Sequence, residues 1–179
     1  MTDSETKYAI RMILISTSLG GMSYLSFNNG LLLAYFSYLG IPSATILILL
    51  ALLPLSQFVF MIPFSYLSDI YGKKLIGNFG MVLSIIGFFL MMIAGIFPNY
   101  FRTGVVGLGA GIFGTGSALI IGNWFALLHP IIPENVRGRF FGRLRLTWQS
   151  IGIAFTLVVI YILEQYPTLG MYQAVMAII

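Results

Sequence analysis

The stretch whose reading decides the fold is Ser65-Tyr66-Leu67-Ser68-Asp69-Ile70-Tyr71-Gly72-Lys73-Lys74. It is a short charged turn between two long apolar runs, Ser43 to Tyr66 before it and Leu75 to Phe97 after it. Each run exceeds the roughly 20 mostly apolar residues that a helix needs to cross a hydrocarbon core. Two such runs joined by so short a turn read as two membrane spans with a loop on one side. Gly72 permits the tight reversal. Asp69 lies near the C-terminus of one helix, and Lys73 and Lys74 open the next, so each charge meets the unfavourable end of a macrodipole. The expectation is that partners from other helices compensate them.

The same length criterion divides the rest of the chain. Span one runs from about Met12 to Tyr38, span four from Thr103 to Leu128 and span five from Leu146 to Leu163. A last apolar run, Thr168 to Ile179, covers only about 18 Å at about 1.5 Å per residue, against a core of about 30 Å. The chain therefore reads as an all-α polytopic membrane protein with five complete spans and a truncated sixth, a piece of a longer protein. Residues 1–11 form a short polar tail, and residues 12–179 form the bundle. Span one is longer than the roughly 7–15 residues of a signal-peptide core and is read as a retained helix.

Composition agrees. The chain is 59% hydrophobic and 8% charged, against about 25% charged in a soluble domain. That excludes a soluble enzyme, a disordered chain and a nucleic-acid partner, despite a pI near 9.5. The absence of Cys and the single His129 leave no ligand set for a metal. No catalytic residue, metal or cofactor is expected, and the bilayer is the surrounding partner. With the N-terminus inside, Lys7, Arg11, Lys73, Lys74, Arg137, Arg139, Arg143 and Arg145 lie on the inner side and Arg102 alone on the outer. This follows the positive-inside rule and places the protein in an inner or plasma membrane with a cytoplasmic N-terminus.

The opening segment resembles the signature loop of the major facilitator superfamily, Gly-x-Leu-Ala-Asp-Arg-x-Gly-Arg-Lys/Arg. Leu67, Asp69, Gly72 and Lys74 match, Lys73 stands for an Arg, and Ser65 and Ile70 depart from the pattern. A second segment, Pro133-Glu134-Asn135-Val136-Arg137-Gly138-Arg139-Phe140-Phe141-Gly142, is similar to the Pro-x-x-x-Arg-Gly-x-x-x-Gly that opens helix five in that superfamily. The resemblance implies the N-terminal half of a twelve-helix transporter, with inverted three-helix repeats at about 12–97 and 103–179. It implies a C-terminal six-helix half as partner, transport by alternating access and no enzymatic activity. It makes Asp69, Gly72, Lys73, Lys74, Arg137, Gly138 and Arg139 a cytoplasmic gate.

Polar residues inside the spans are the candidates for a substrate cavity. On a continuous helix Thr17, Gly21, Tyr24, Asn28 and Tyr35 share a stripe, with Asn29 beside it. Buried amides are costly against lipid and so face protein or a water-filled cavity; the other reading of Asn28-Asn29-Gly30 is a helix-packing or helix-breaking site around Gly30. Tyr24, Asn28, Asn29, Gln57, Asn123 and Gln149 are the candidates, for a small neutral polar solute. In span four Gly107 and Gly111 form a small-xxx-small pair suited to close helix packing. Two alternatives are a six-span binding component of a larger importer and an intramembrane hydrolase. The hydrolase would need a mid-membrane His or Asp, and the spans hold neither.

Overall fold

A computed structural model of the chain describes residues 3–28, 30–128 and 131–179. It is helical throughout, with no strand among the described residues. The elements are α1 (Asp3–Gly20), α2 (Met22–Leu25), α3 (Leu31–Tyr38), α4 (Ser43–Tyr71), α5 (Lys73–Ile93), α6 (Asn99–Leu128), α7 (Arg137–Gln165) and α8 (Leu169–Ile178), with 3₁₀ turns at Ala94–Ile96 and Glu134–Val136. Among the described residues four helices are long and apolar enough to cross a membrane, built on α4, α5, α6 and α7. Their outward side chains are large and apolar: Phe58 is 85% exposed and Ile62 80%. Water tolerates no such belt on a soluble protein, whereas lipid does. Tyr66 and Tyr71 at one end of α4, Tyr100 at the start of α6 and Tyr166 after α7 are exposed as interface aromatics are. The chain is a multi-pass membrane protein.

The expected first span is not one continuous helix. The helical bonding of α1 carries through α2, since Gly21 donates to the Thr17 carbonyl and Leu25 to that of Gly21. It then tightens to three-residue steps at Phe27 and Asn28 and breaks. Gly30 sits at φ +86, a left-handed conformation that a side chain disfavours. Leu32 reaches back to the Ser26 carbonyl at 3.4 Å, and α3 starts anew. The count of five complete spans is not confirmed: this break divides the first apolar run, and four helices among the described residues are long and apolar enough to cross. The other spans are longer than expected, and the helix of span two runs through Asp69 to Tyr71.

The chain forms two compact units. The first comprises Met1–Leu32 and Leu128–Ile179, and the second Leu33–Leu127. In the first, α1 with α2 runs alongside α7. A Cβ on Gly21 would lie 2.5 Å from Trp148 Nε1, and one on Gly152 would lie 2.9 Å from Leu25 Cδ1. Positions 21 with 148 and 25 with 152 keep one offset, so the two helices are parallel. Phe140, Leu144, Gly152 and Val159 are the buried residues of α7, and Tyr172, Val175 and Met176 those of α8.

In the second unit α6 packs on both α4 and α5 through glycines. Against α5 the helices are antiparallel. A Cβ on Gly116 would meet the Gly80 carbonyl at 2.5 Å, and one on Gly109 would meet that of Gly87 at 2.8 Å. Against α4 they are parallel, with Gly107 near Leu49, Gly114 near Ser56 and Gly122 near Ser65. Lipid is as apolar as the side chains, so close van der Waals packing of small residues holds such helices together. The expected Gly107–Gly111 pairing is corrected here. Gly107 pairs with Gly114 and Gly122 in facing α4, while nothing lies within 4 Å of a Cβ on Gly111.

Candidate functional site

The charged turn closes at Gly72, whose φ of +96 reverses the chain between α4 and α5. The reversal brings Lys73 Nζ to 3.5 Å from Asp69 Oδ1, with the two side chains 40% and 68% exposed. The expectation that other helices supply the partners is corrected: the turn pairs its own charges. At such exposure the pair contributes about 0–1 kcal/mol. Lys74 is exposed.

The firmer anchor is the residue before Asp69. Ser68 is 1% exposed and donates its hydroxyl to Asn123 Oδ1 on α6. Asn123, 2% exposed, donates its own Nδ2 to the Leu119 carbonyl at 2.9 Å. The amide meant for a solute is thus engaged in holding the end of α4 to α6. Sequence reading missed Ser68, although a Ser on the inward side of a charged helix end was a usable signal.

At the opposite end of this unit two polar side chains secure the chain reversals. Tyr35, fully buried, donates to the Met92 carbonyl at 2.7 Å and accepts from the Gly95 N–H at 3.3 Å. Arg102 donates from Nε to the Phe97 carbonyl at 2.9 Å, from Nη1 to that of Leu39 at 3.2 Å and from Nη2 to that of Gly95 at 3.4 Å. These are carbonyls that helix ends leave unpartnered. Gln57 is half-buried on α4, and its Nε2 is buried without a hydrogen-bond partner. An open, mostly apolar cleft of about 360 Å³, lined by Ser56, Phe60, Leu83, Gly107, Gly111 and Thr115, contains neither Gln57 nor Asn123.

The remaining candidates lie on the other unit. Arg137 pairs with Glu134 at 3.7 Å and donates from Nε to the Ile132 carbonyl at 3.3 Å, which fixes the start of α7. Gly138 and Arg139 follow, both exposed. Tyr24 is half-buried on α2, and Gln149 is exposed on α7. Asn28 is exposed at the break, its N–H donating to the Leu25 carbonyl at 2.8 Å. The expected stripe is divided: Gly21, Tyr24 and Asn28 lie before the break in one unit, with Gly21 against Trp148, and Tyr35 is buried in the other. Asn29 and His129 lie outside the described residues. Trp148, which the sequence offers as a weaker cavity candidate or an interface anchor, sits over Gly21 with its Nε1 buried and unpartnered, and Arg145 stacks on its ring at 5.4 Å.

The structure thus brings Asp69, Gly72, Lys73 and Lys74 together at one turn. It sets Asn28 in an interrupted helix and engages Asn123 in packing. Among the described residues no group of three or more His, Cys, Asp or Glu is placed to hold a metal. No family model, curated protein or solved structure matches the chain.

Proposed function

We propose that the chain is part of a secondary or facilitative transporter for a small neutral polar solute, working by alternating access. The observation that carries the reading is the interrupted first apolar run, with Asn28 exposed and Gly30 at positive φ inside the stretch expected to cross the bilayer. Irregular backbone at membrane depth is tolerated only where protein or a water-filled cavity covers it. Broken helices of this kind are where transporters build solute sites, from freed backbone groups and nearby side chains. The resemblance of the Asp69–Lys74 and Arg137–Gly142 segments to major facilitator loops supports the same reading. In it the turn at Gly72 and the start of α7 form a cytoplasmic gate, and a second six-helix half completes the cavity. The acids of the four long apolar helices, Asp69, Glu134 and Glu164, lie at helix ends and none lies in the middle of a span, so a neutral solute is the favoured cargo.

The test is solute exchange in proteoliposomes made with the whole gene product. Alternating access predicts saturable uptake of a radiolabelled polyol or sugar, accelerated by unlabelled solute on the far side. Uptake that rises linearly with concentration and shows no acceleration would point to a pore and end the proposal.

A further inference from the structure

Beyond any transport role, one face of α7 has the form of a lipid-binding track. Arg139 and Arg143 are four residues apart, both exposed, on the same side of the helix. Their positions are electrostatically poor. Both lie in the first two turns, where the macrodipole repels cations, and they repel each other. No acid occurs three or four residues from either. The one carboxylate between Asp69 and Glu164 is Glu134, and it pairs with Arg137. Continuing along the same face, at steps of three and four, come Leu146 (71% exposed), Ser150 (also exposed), Ile153 (63%) and Leu157 (63%), so the stripe is apolar but for one hydroxyl. The buried residues Phe140 and Leu144 lie on another side.

A pair of guanidinium groups with no carboxylate partner among the described residues, at the end of an exposed and mostly apolar stripe, matches an amphiphile: phosphate at one end, acyl chain along the other. A nucleic acid or a free anion would use the charges and leave the stripe unexplained. We propose that this face of α7 binds an anionic phospholipid, with Arg139 and Arg143 holding the phosphate and Leu146, Ile153 and Leu157 lying along the chain. Clusters of Arg next to a spanning helix attract anionic headgroups, and Arg holds phosphate oxygens in bidentate fashion. The inference needs only the membrane location and stands whether or not the chain transports.

The chain has no Cys, so Leu146→Cys carries a single bimane label on this face. The labelled chain, in zwitterionic micelles, is titrated with phosphatidylglycerol or phosphatidylcholine brominated on the acyl chain. Each guanidinium near an anionic headgroup favours binding by about fivefold, so phosphatidylglycerol should quench at about 25-fold lower concentration. Arg139→Gln with Arg143→Gln should abolish that preference, and Arg139→Lys with Arg143→Lys should keep most of it. If the double Gln variant loses helix by circular dichroism, Arg143→Gln alone should lower the preference about fivefold. Equal quenching by both lipids, or a preference that survives the Gln variants, overturns the proposal. So does displacement of the lipid by millimolar inorganic phosphate, or cross-linking of the labelled position to a second copy as the event that alters its fluorescence.

Discussion

At the scale of single residues, the turn rests more on a neutral pair than on its charges. Ser68 and Asn123 are buried and bonded to each other, while Asp69 and Lys73 meet in the open. Ser68→Ala leaves Asn123 Oδ1 without that donor. Hydrogen bonds between membrane helices contribute about 0.6 kcal/mol on average and up to about 1.7. Ser68→Ala should therefore lower unfolding free energy in mixed micelles by about 1 kcal/mol, and Asp69→Asn should cost less. A larger loss from Asp69→Asn would reverse the order argued here. Asn28 is the residue on which the transport proposal turns. A neutral hydrogen bond contributes about 0.5–1.5 kcal/mol, or roughly two- to twelvefold in affinity. On that proposal, Asn28→Ala in the whole gene product should raise the solute dissociation constant by that factor with expression unchanged, and unaltered binding would remove Asn28 from the site. These two asparagines show what sequence alone conveys. Both were visible as polar residues in apolar runs, but the sequence holds no sign that one finds a Ser 55 positions away and the other stands exposed.

At the scale of elements, the contacts of α6 are decided by which glycines face a neighbour. A Cβ on Gly116 would press on the Gly80 carbonyl at 2.5 Å and the Ser84 N–H at 2.6 Å, whereas one on Gly111 meets nothing within 4 Å. Overpacking typically costs about 1–3 kcal/mol, and Gly to Ala in an unhindered helix gains about 0.5–1. Gly116→Ala should thus destabilise the chain by about 1–3 kcal/mol in micelle unfolding, and Gly111→Ala should be neutral or stabilising. Equal effects at the two sites would contradict the packing. The helices themselves were legible from apolar length, and the tight turn from Gly72. The pairing was not. Glycine spacing along α6 offers several small-residue pairs, and only the neighbours' positions select Gly109 with Gly116 for α5 and Gly107 with Gly114 for α4. The break in the first span was partly legible. Its apolar residues continue on both sides, so hydropathy runs on past a backbone that does not, but the polar segment ending in Gly30 carried a helix-breaking reading beside the solute-binding one.

At the scale of the whole molecule, charge is the signal that the sequence displays most openly. Eight of the nine basic residues lie where one orientation puts them inside, and that orientation requires the spans to alternate between that side and the one marked by Arg102. The reading requires α6 to cross the bilayer, so that the turn before it and the loop after it lie on opposite sides. Both can be interrogated without removing any native thiol. Single cysteines at Asn99, just before the body of α6, and at Asn135, just before α7, are exposed to an impermeant maleimide on intact cells. The account predicts labelling at Asn99 at once and at Asn135 only after the membrane is opened. Labelling of Asn135 from outside would invert the orientation, and equal labelling of both in intact cells would contradict the span itself.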